Sequence, residues 1–545
     1  MQFRSSVLAV TMLVYASLHG QLANPHVRVA MGELEGQPTG MGPFVFKGIP
    51  FAAPPVGDLR WRDPKPPAAW SGVRDATKFG AACMQPESKT SAITRSEMSE
   101  DCLFLNVWTP ALKPPQPAPV MVWIHGGSFM SGAGSLPGYD GTRLAMRGVV
   151  VVTINYRMGV FGYMAHPDLS AESPHHTSGN YALLDQMAAL RWVRDNITAF
   201  GGDSRNITVF GESAGASSIA YMMASPLAQG LFDKAILESP GLLFAPDPEL
   251  RSDYRGITSM EAVGLAVGLH VAELRALSAD ALTEQSYAAS KKLFGPGGAG
   301  RTRLRAATPL DDPNSVHLAW TPFADGYIVP EQLAKLYADN RFTRIPVLAG
   351  TNTNEGNLFL THYHPANADS FNAWVEQAFA PCGKAVLAQY APPSPATPDQ
   401  FHAAADRLLT DSLFLYGTFS VARATHGYLY RFTRVSPRAE KAGLGAFHSE
   451  EIAYVLGHTL NAPDDYVEAD RKLSDQIMTM WVHFARTGDP RLMMSSGWTR
   501  IGSNGEVPYM EFGDAITPKD FPDTTVQVFS QLWPPSGKAP TCVKK

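Results

Sequence analysis

The 545-residue chain is short of several things, and each shortage removes a class of protein. Charged residues make up 17% and the net charge is only -5, so no basic face stands out to hold nucleic acid. Hydrophobic residues reach 45%, which supports a large buried core rather than a disordered chain. No stretch repeats at a fixed period, which argues against solenoids and propellers. Beyond the N-terminus no apolar run is long enough to cross a bilayer, so no stable membrane insertion is expected. His362 and His364 form an H-x-H pair without carboxylate or cysteine company, and they read as loop residues rather than metal ligands.

Cysteine is scarce too, with four residues at 83, 102, 382 and 542, which allow three pairings. Pairing Cys83 with Cys102 closes a short local loop and leaves Cys382 with Cys542 to tie the tail to the body. Reduced cysteines in the core are the alternative to these two bridges. Residues 1–23 have the form of an export signal: Arg4 supplies the positive charge, and Ser6 to Leu18 is an apolar run too short to span a membrane. A secreted or periplasmic protein is expected, with residues 24–545 forming one domain.

What is present is a series of buried-strand patterns. Leu103 to Trp108, Val120 to Ile124 and Val149 to Ile154 are nearly all apolar, as in strands covered on both faces. Tyr181 to Phe200 carries Leu184, Met187, Leu190 and Val193 near helical spacing, which predicts a crossover helix. Further strands are expected at Lys234–Leu237, Pro346–Ala349 and Tyr428–Thr433, with a helical insertion from about Asp247 to Phe294. A helix over Leu473–Thr487 is stopped by Gly488 and Pro490. Short alternating segments from Val27 to Trp61 predict a small N-terminal antiparallel sheet. The fold class is therefore α/β, a large mostly parallel central sheet with helices on both faces.

One stretch organises the chemistry. Ile207 to Phe210 runs as a strand into Gly211-Glu212-Ser213-Ala214-Gly215, followed by a small-residue helix. A serine on such a corner projects its hydroxyl from the sheet edge, and the flanking glycines avoid clashes with the neighbouring strand and helix. Acyl transfer also needs a base, an acid to orient it and donors for an oxyanion. The donors are expected from His125-Gly126-Gly127, directly after a strand, with the backbone N–H groups of Gly126, Gly127 and Ala214 converging on one oxygen. Chemistry alone does not choose the base among 15 histidines. A serine–acid–histidine chain order favours a late one, with His448 in a loop and His458 and His483 as competitors. Glu355, in the loop beyond the strand at Val347–Ala349, is the acid candidate.

The motifs resemble the type-B carboxylesterase family of α/β-hydrolases, the group that includes cholinesterases and bacterial para-nitrobenzyl esterases. The matching segments run nearly end to end: Gly48-Ile49-Pro50-Phe51, Leu59-Arg60-Trp61, Ser99-Glu100-Asp101-Cys102, the His125 turn, Asn155-Tyr156-Arg157, Leu184-Asp185-Gln186, the Gly211–Gly215 elbow, Glu355-Gly356, His448 and Gly488-Asp489-Pro490. The resemblance implies an α/β-hydrolase fold and a Ser213–His448–Glu355 triad acting on a small-molecule ester, with no cofactor. It also implies Gly126, Gly127 and Ala214 as oxyanion donors and Cys83–Cys102 as the family's early disulfide. Arg60 with Glu100, and Arg157 with Asp185, match structural salt bridges. Glu212 and Ser239 are expected beside the triad. Glu212 would either favour a protonated His448 or serve as a buried hydrogen-bonding group.

The departures narrow the substrate. No tryptophan lies between Cys83 and Cys102, where cholinesterases place an aromatic face for choline, so a cholinesterase is not expected. Cysteines for their second internal bridge are missing, and Cys382 does not sit where their third pair begins. Ser239-Pro240-Gly241-Leu242 resembles a bacterial branch that includes a fumonisin esterase, whose members cleave bulky polycarboxylate esters. The basic cluster Lys291, Lys292, Arg301, Arg303 and Arg305 reads first as a solvated loop and second as a patch drawing anionic substrates. The same motifs are also compatible with a lipase and, in a different class, with a non-catalytic cholinesterase-like binding protein.

Overall fold

A computed structural model describes residues 24–87, 93–295, 319–360, 365–460, 462, 464–493, 497–502, 507–521, 526–534, 538 and 540–542. The expectations for residues 1–23, for Arg301, Arg303 and Arg305, and for His362 and His364 lie outside the described residues. Among those described, eleven strands form one sheet. In chain order they are β1 (Gln37–Pro38), β2 (Phe44–Pro50), β3 (Phe104–Thr109), β4 (Ala118–Ile124), β5 (Val150–Ile154), β6 (Gly202–Glu212), β7 (Lys234–Glu238), β8 (Val347–Asn352), β9 (Tyr428–Phe432), β10 (Pro508–Phe512) and β11 (Ile516–Asp520).

Their spatial order is β11-β10-β9-β8-β7-β6-β4-β5-β3-β2-β1. From β5 through β10 every neighbouring pair is parallel, while the β1-β2-β3-β5 edge and the β10–β11 edge are antiparallel. The wholly apolar β4 accounts for the two-sided burial. Val120, Val122 and Ile124 enter one core, and Met121 and Trp123 enter the other. Successive side chains point to opposite faces, so a strand covered on both sides must be apolar throughout.

Helix α1 (Tyr181–Asn196) and helix α2 (Ala214–Ala224) cover the first face. The insertion divides into α3 (Met260–Val267), α4 (Val271–Ala276) and α5 (Ala279–Phe294). Helix α6 (Glu468–Thr487) covers the second face and begins five residues before the expected Leu473, where Asp470 accepts from the Val467 N–H at 2.8 Å. Gly488, at φ +75°, ends it in the left-handed conformation.

The small N-terminal sheet has three strands. His26–Val29 and Gly32–Glu35 pair antiparallel, but Val73–Asp75 joins parallel to Gly32–Glu35. A parallel partner needs a long crossover, and the chain from β1 to β2 and beyond supplies it. Both disulfides form, Cys83–Cys102 and Cys382–Cys542, with Cα separations of 4.9 and 5.5 Å. Arg60 grips Glu100 through Nε at 2.7 Å, and its Nη1 also donates to the carbonyls of Leu274 and Leu277 at 3.0 Å, where α4 ends. Arg157 and Asp185 make a buried bidentate pair at 2.8 and 2.7 Å. These two arginines join the early chain segments to the helical layer.

Candidate active site

Strand β6 ends at Glu212, and Ser213 turns sharply into α2 with φ 54° and ψ -121°. That conformation costs about 1–3 kcal/mol for a non-glycine residue and persists only where the surroundings enforce it. Here they do. A Cβ at Gly211 would lie 2.5 Å from the Ile124 carbonyl oxygen, and one at Gly215 only 1.9 Å from it. The corner is pressed against the end of β4, and the Ser213 N–H is held by the Glu238 carbonyl of β7 at 2.9 Å.

Ser213 Oγ lies 2.9 Å from His448 Nε2, and His448 Nδ1 lies 2.6 Å from Glu355 Oε2. Two loops bring these side chains together from beyond the ends of β8 and β9. The Asn354 N–H donates to the Ala446 carbonyl at 2.9 Å, and Asn352 Nδ2 donates to the Phe447 carbonyl at 2.7 Å. The second Glu355 oxygen accepts from Ser239 Oγ and from the Asn352 N–H, both at 2.6 Å. The His448 ring is 4.5 Å from the Phe414 ring and 5.5 Å from the Phe359 ring, and the residue is buried. His458 and His483 do not reach this cluster. His458 belongs to a short turn after the His448 loop, and His483 lies on α6.

Glu212 approaches the imidazole from the other side. Its Oε1 is 3.1 Å from His448 Nε2 and accepts from Ser449 Oγ at 2.6 Å. Burial pulls the His448 pKa down, but the carboxylates of Glu212 and Glu355 outweigh it and the net shift is upward. Burial raises Glu212, opposed by the charge on His448.

Sequence reasoning missed two further carboxylates behind this group. Glu451 lies 3.2 Å from Ser239 Oγ and accepts from Asn352 Nδ2, and burial with the charges of Glu212, Glu355 and Glu238 pushes it well up. Glu238 accepts from Trp481 Nε1 at 2.8 Å and is pushed up to about 8, first by burial. Four carboxylates this close cannot all ionise. Burial and mutual repulsion raise Glu212, Glu238 and Glu451 alike, and the charge of His448 opposes the rise at Glu212. The signal was present in position only: Glu451 stands three residues after His448, and Glu238 precedes Ser239.

The turn after β4 faces the elbow. A Cβ at Gly126 would meet Glu212 Oε2 at 2.6 Å and Ser213 Cβ at 3.0 Å, so the backbone passes directly beside the serine. Gly127 has φ +109°, and Ser128 and Phe129 follow at +55° and +63°, a left-handed run not expected for those two residues. Among the described residues no acceptor takes the N–H groups of Gly126, Gly127 or Ser128. Ala214, first residue of α2, has no acceptor within its helix for its N–H. Also among the described residues, no three His, Cys, Asp or Glu side chains converge as a metal site, and no helix is long and apolar enough to cross a membrane.

A sheet of this order, a serine at the strand-to-helix corner, and a histidine and acid from later loops define an α/β-hydrolase. The family model described as "Carboxylesterase family" matches residues 23–529, and the chain belongs to that family. It is 38% identical over 485 residues to the fumonisin B1 esterase of Sphingopyxis macrogoltabida, covering 86% of this chain and 83% of that one. It is 37% identical to the para-nitrobenzyl esterase of Bacillus subtilis (strain 168), covering 85% and 90%. Acetylcholinesterase 1 of Caenorhabditis elegans is 32% identical, covering 84% and 77%. Among solved structures, a PNB esterase superposes with a TM-score of 0.75 at 32% identity, covering 93% of this chain and 99% of that one. The protein is a carboxylesterase, an enzyme that hydrolyses carboxylic esters.

Proposed function

We propose that the protein is an exported serine carboxylesterase, one domain over residues 24–545 behind a signal at 1–23. Ser213 is its nucleophile, His448 its base and Glu355 the acid that orients the base. The hydrogen-bond chain from Ser213 Oγ through the imidazole to Glu355 carries this reading. Export is supported by the two disulfides, which persist in oxidising compartments.

In the first half-reaction His448 Nε2 takes the Ser213 proton as Oγ bonds to the ester carbonyl carbon. The carbonyl oxygen becomes an oxyanion, received by the N–H groups of Gly126, Gly127 and Ala214. Glu355 on one side and Glu212 on the other favour the imidazolium. His448 returns the proton to the alkoxide, which leaves as alcohol and Ser213 remains acylated. Water then gives a proton to His448, attacks the acyl carbon and releases the acid, restoring Ser213.

The similarity to a fumonisin B1 esterase favours a second, narrower reading, selectivity for bulky carboxylate-bearing esters. One panel tests both: p-nitrophenyl esters of short and long acyl chains beside fumonisin B1, with Ser213→Ala as control. The Ser213→Ala variant is expected to lose at least about 10⁴-fold in kcat. Full turnover in that variant would overturn the assignment. A kcat/KM for fumonisin B1 below that for p-nitrophenyl acetate would remove the narrower reading alone.

A further inference from the structure

The donor turn is held from behind, and His125 does the holding. Three successive carbonyls are gripped. That of His125 accepts from Tyr156 Oη at 2.7 Å, that of Gly126 lies 2.8 Å from His125 Nδ1, and that of Gly127 accepts from the Met130 and Ser131 N–H groups at 2.9 and 3.0 Å. In a trans peptide the C=O and the next N–H point in opposite directions from one rigid plane. Fixing the Gly126 oxygen therefore aims the Gly127 N–H, and fixing the His125 oxygen aims the Gly126 N–H.

The Gly126 oxygen can only accept, so Nδ1 must carry the proton. His125 Nε2 is buried and finds no hydrogen-bond partner among the described residues. A second proton there would bury a charge without a partner, so the ring is neutral. Burial accordingly holds its pKa at about 4, against the opposing bond to Gly126. The ring is stacked 4.4 Å from Tyr156, and Gly132 leaves it room, since a Cβ there would lie 2.5 Å from Nδ1. His125 touches no reacting atom in this arrangement.

We propose that His125 is a positioning residue for ester hydrolysis, its Nδ1–H fixing the Gly126–Gly127 peptide so that the Gly127 N–H faces the developing oxyanion. This rests on the reading of that turn as the oxyanion site. Because the oxyanion exists only in the transition state, losing the brace lowers kcat and leaves KM nearly unchanged.

His125→Leu places a methyl group where Nδ1 stood, and His125→Asn places an amide N–H donor there. The expected result is a fall of about 10²-fold in kcat for His125→Leu, the usual effect of removing one oxyanion donor, with KM within about threefold. A trifluoromethyl ketone, whose adduct with Ser213 carries the oxyanion, should bind His125→Leu more weakly by the same factor. His125→Asn should recover most of both. Tyr156→Phe, which frees the His125 carbonyl, gives a milder loss of the same kind and serves if His125→Leu does not fold. The proposal is overturned if His125→Leu matches the wild type, if KM rises while kcat holds, or if the Asn and Leu variants are equally impaired. Loss of turnover in Ser213→Ala together with wild-type kinetics in His125→Leu would sink this inference and leave the esterase reading standing.

Discussion

The two halves of the site are built by opposite means. On one side, the elbow and the donor turn are backbone constructions set by glycines: Gly211, Gly215 and Gly126 exist because other backbone passes within 3 Å of where a side chain would begin. On the other side, His448 and Glu355 are side chains set by other side chains. Ser239, Asn352 and Glu212, at or just beyond the ends of β7, β8 and β6, bond to them, and Glu451 backs Ser239 and Asn352. The first kind of geometry resists change absolutely, because a carbonyl cannot step aside. The second is graded, because each hydrogen bond can be weakened in turn.

The contrast can be broken most severely on the graded side. Glu355→Gln replaces the acceptor of the His448 Nδ1 proton with an amide that can present a donor, which selects the wrong tautomer. The expected loss is about 10³–10⁴-fold in kcat with the melting temperature little changed, read by steady-state kinetics and calorimetry. Retained turnover would mean that the acid lies elsewhere.

The backbone side should fail in stability rather than in a single rate constant. Gly215→Ala drives a Cβ into the Ile124 carbonyl, and overpacking of this kind costs about 3 kcal/mol. A lower denaturant midpoint is expected, with activity lost alongside. An unchanged midpoint would show that the corner can yield.

The smallest effect tests the charge shared around the imidazole. Glu212 and Glu355 together raise the His448 pKa, so Glu212→Gln lets it fall. A raised pKa keeps the base protonated and idle at low pH. Removing Glu212 therefore moves the acid limb of the kcat/KM profile to lower pH. It also withdraws support from the imidazolium, with a fall of about tenfold in kcat, equivalent to ~1.4 kcal/mol. A limb that stays in place would show that Glu212 is not ionised beside His448.

Much of the backbone side was legible in the chain. The strand before the elbow, the helix after it and the glycine turn after β4 are local patterns, and sterics within a few residues dictate them. The all-apolar strands announced a sheet covered on both faces. The antiparallel expectation for the small N-terminal sheet missed its third strand, because Val73–Asp75 gives no local sign of the direction in which it pairs.

The side-chain half was not legible in the same way. Fifteen histidines offered no local reason to prefer His448, and only family resemblance singled it out. His448 lies 93 residues from Glu355 and 235 from Ser213 in sequence, and only the folded loops bring them within hydrogen-bonding distance. Glu238 and Glu451 carry no motif of their own in the chain. Their shared burial, a property of the assembled sheet and of α6, is what pushes both above the usual carboxylate range. The sequence alone determined the corner at Ser213 and the turn that faces it, because contacts between near neighbours and one adjoining strand suffice there. Tertiary structure alone decided which histidine and which carboxylates meet at Ser213 and how burial shifts them, because those depend on distances between segments that the chain leaves far apart.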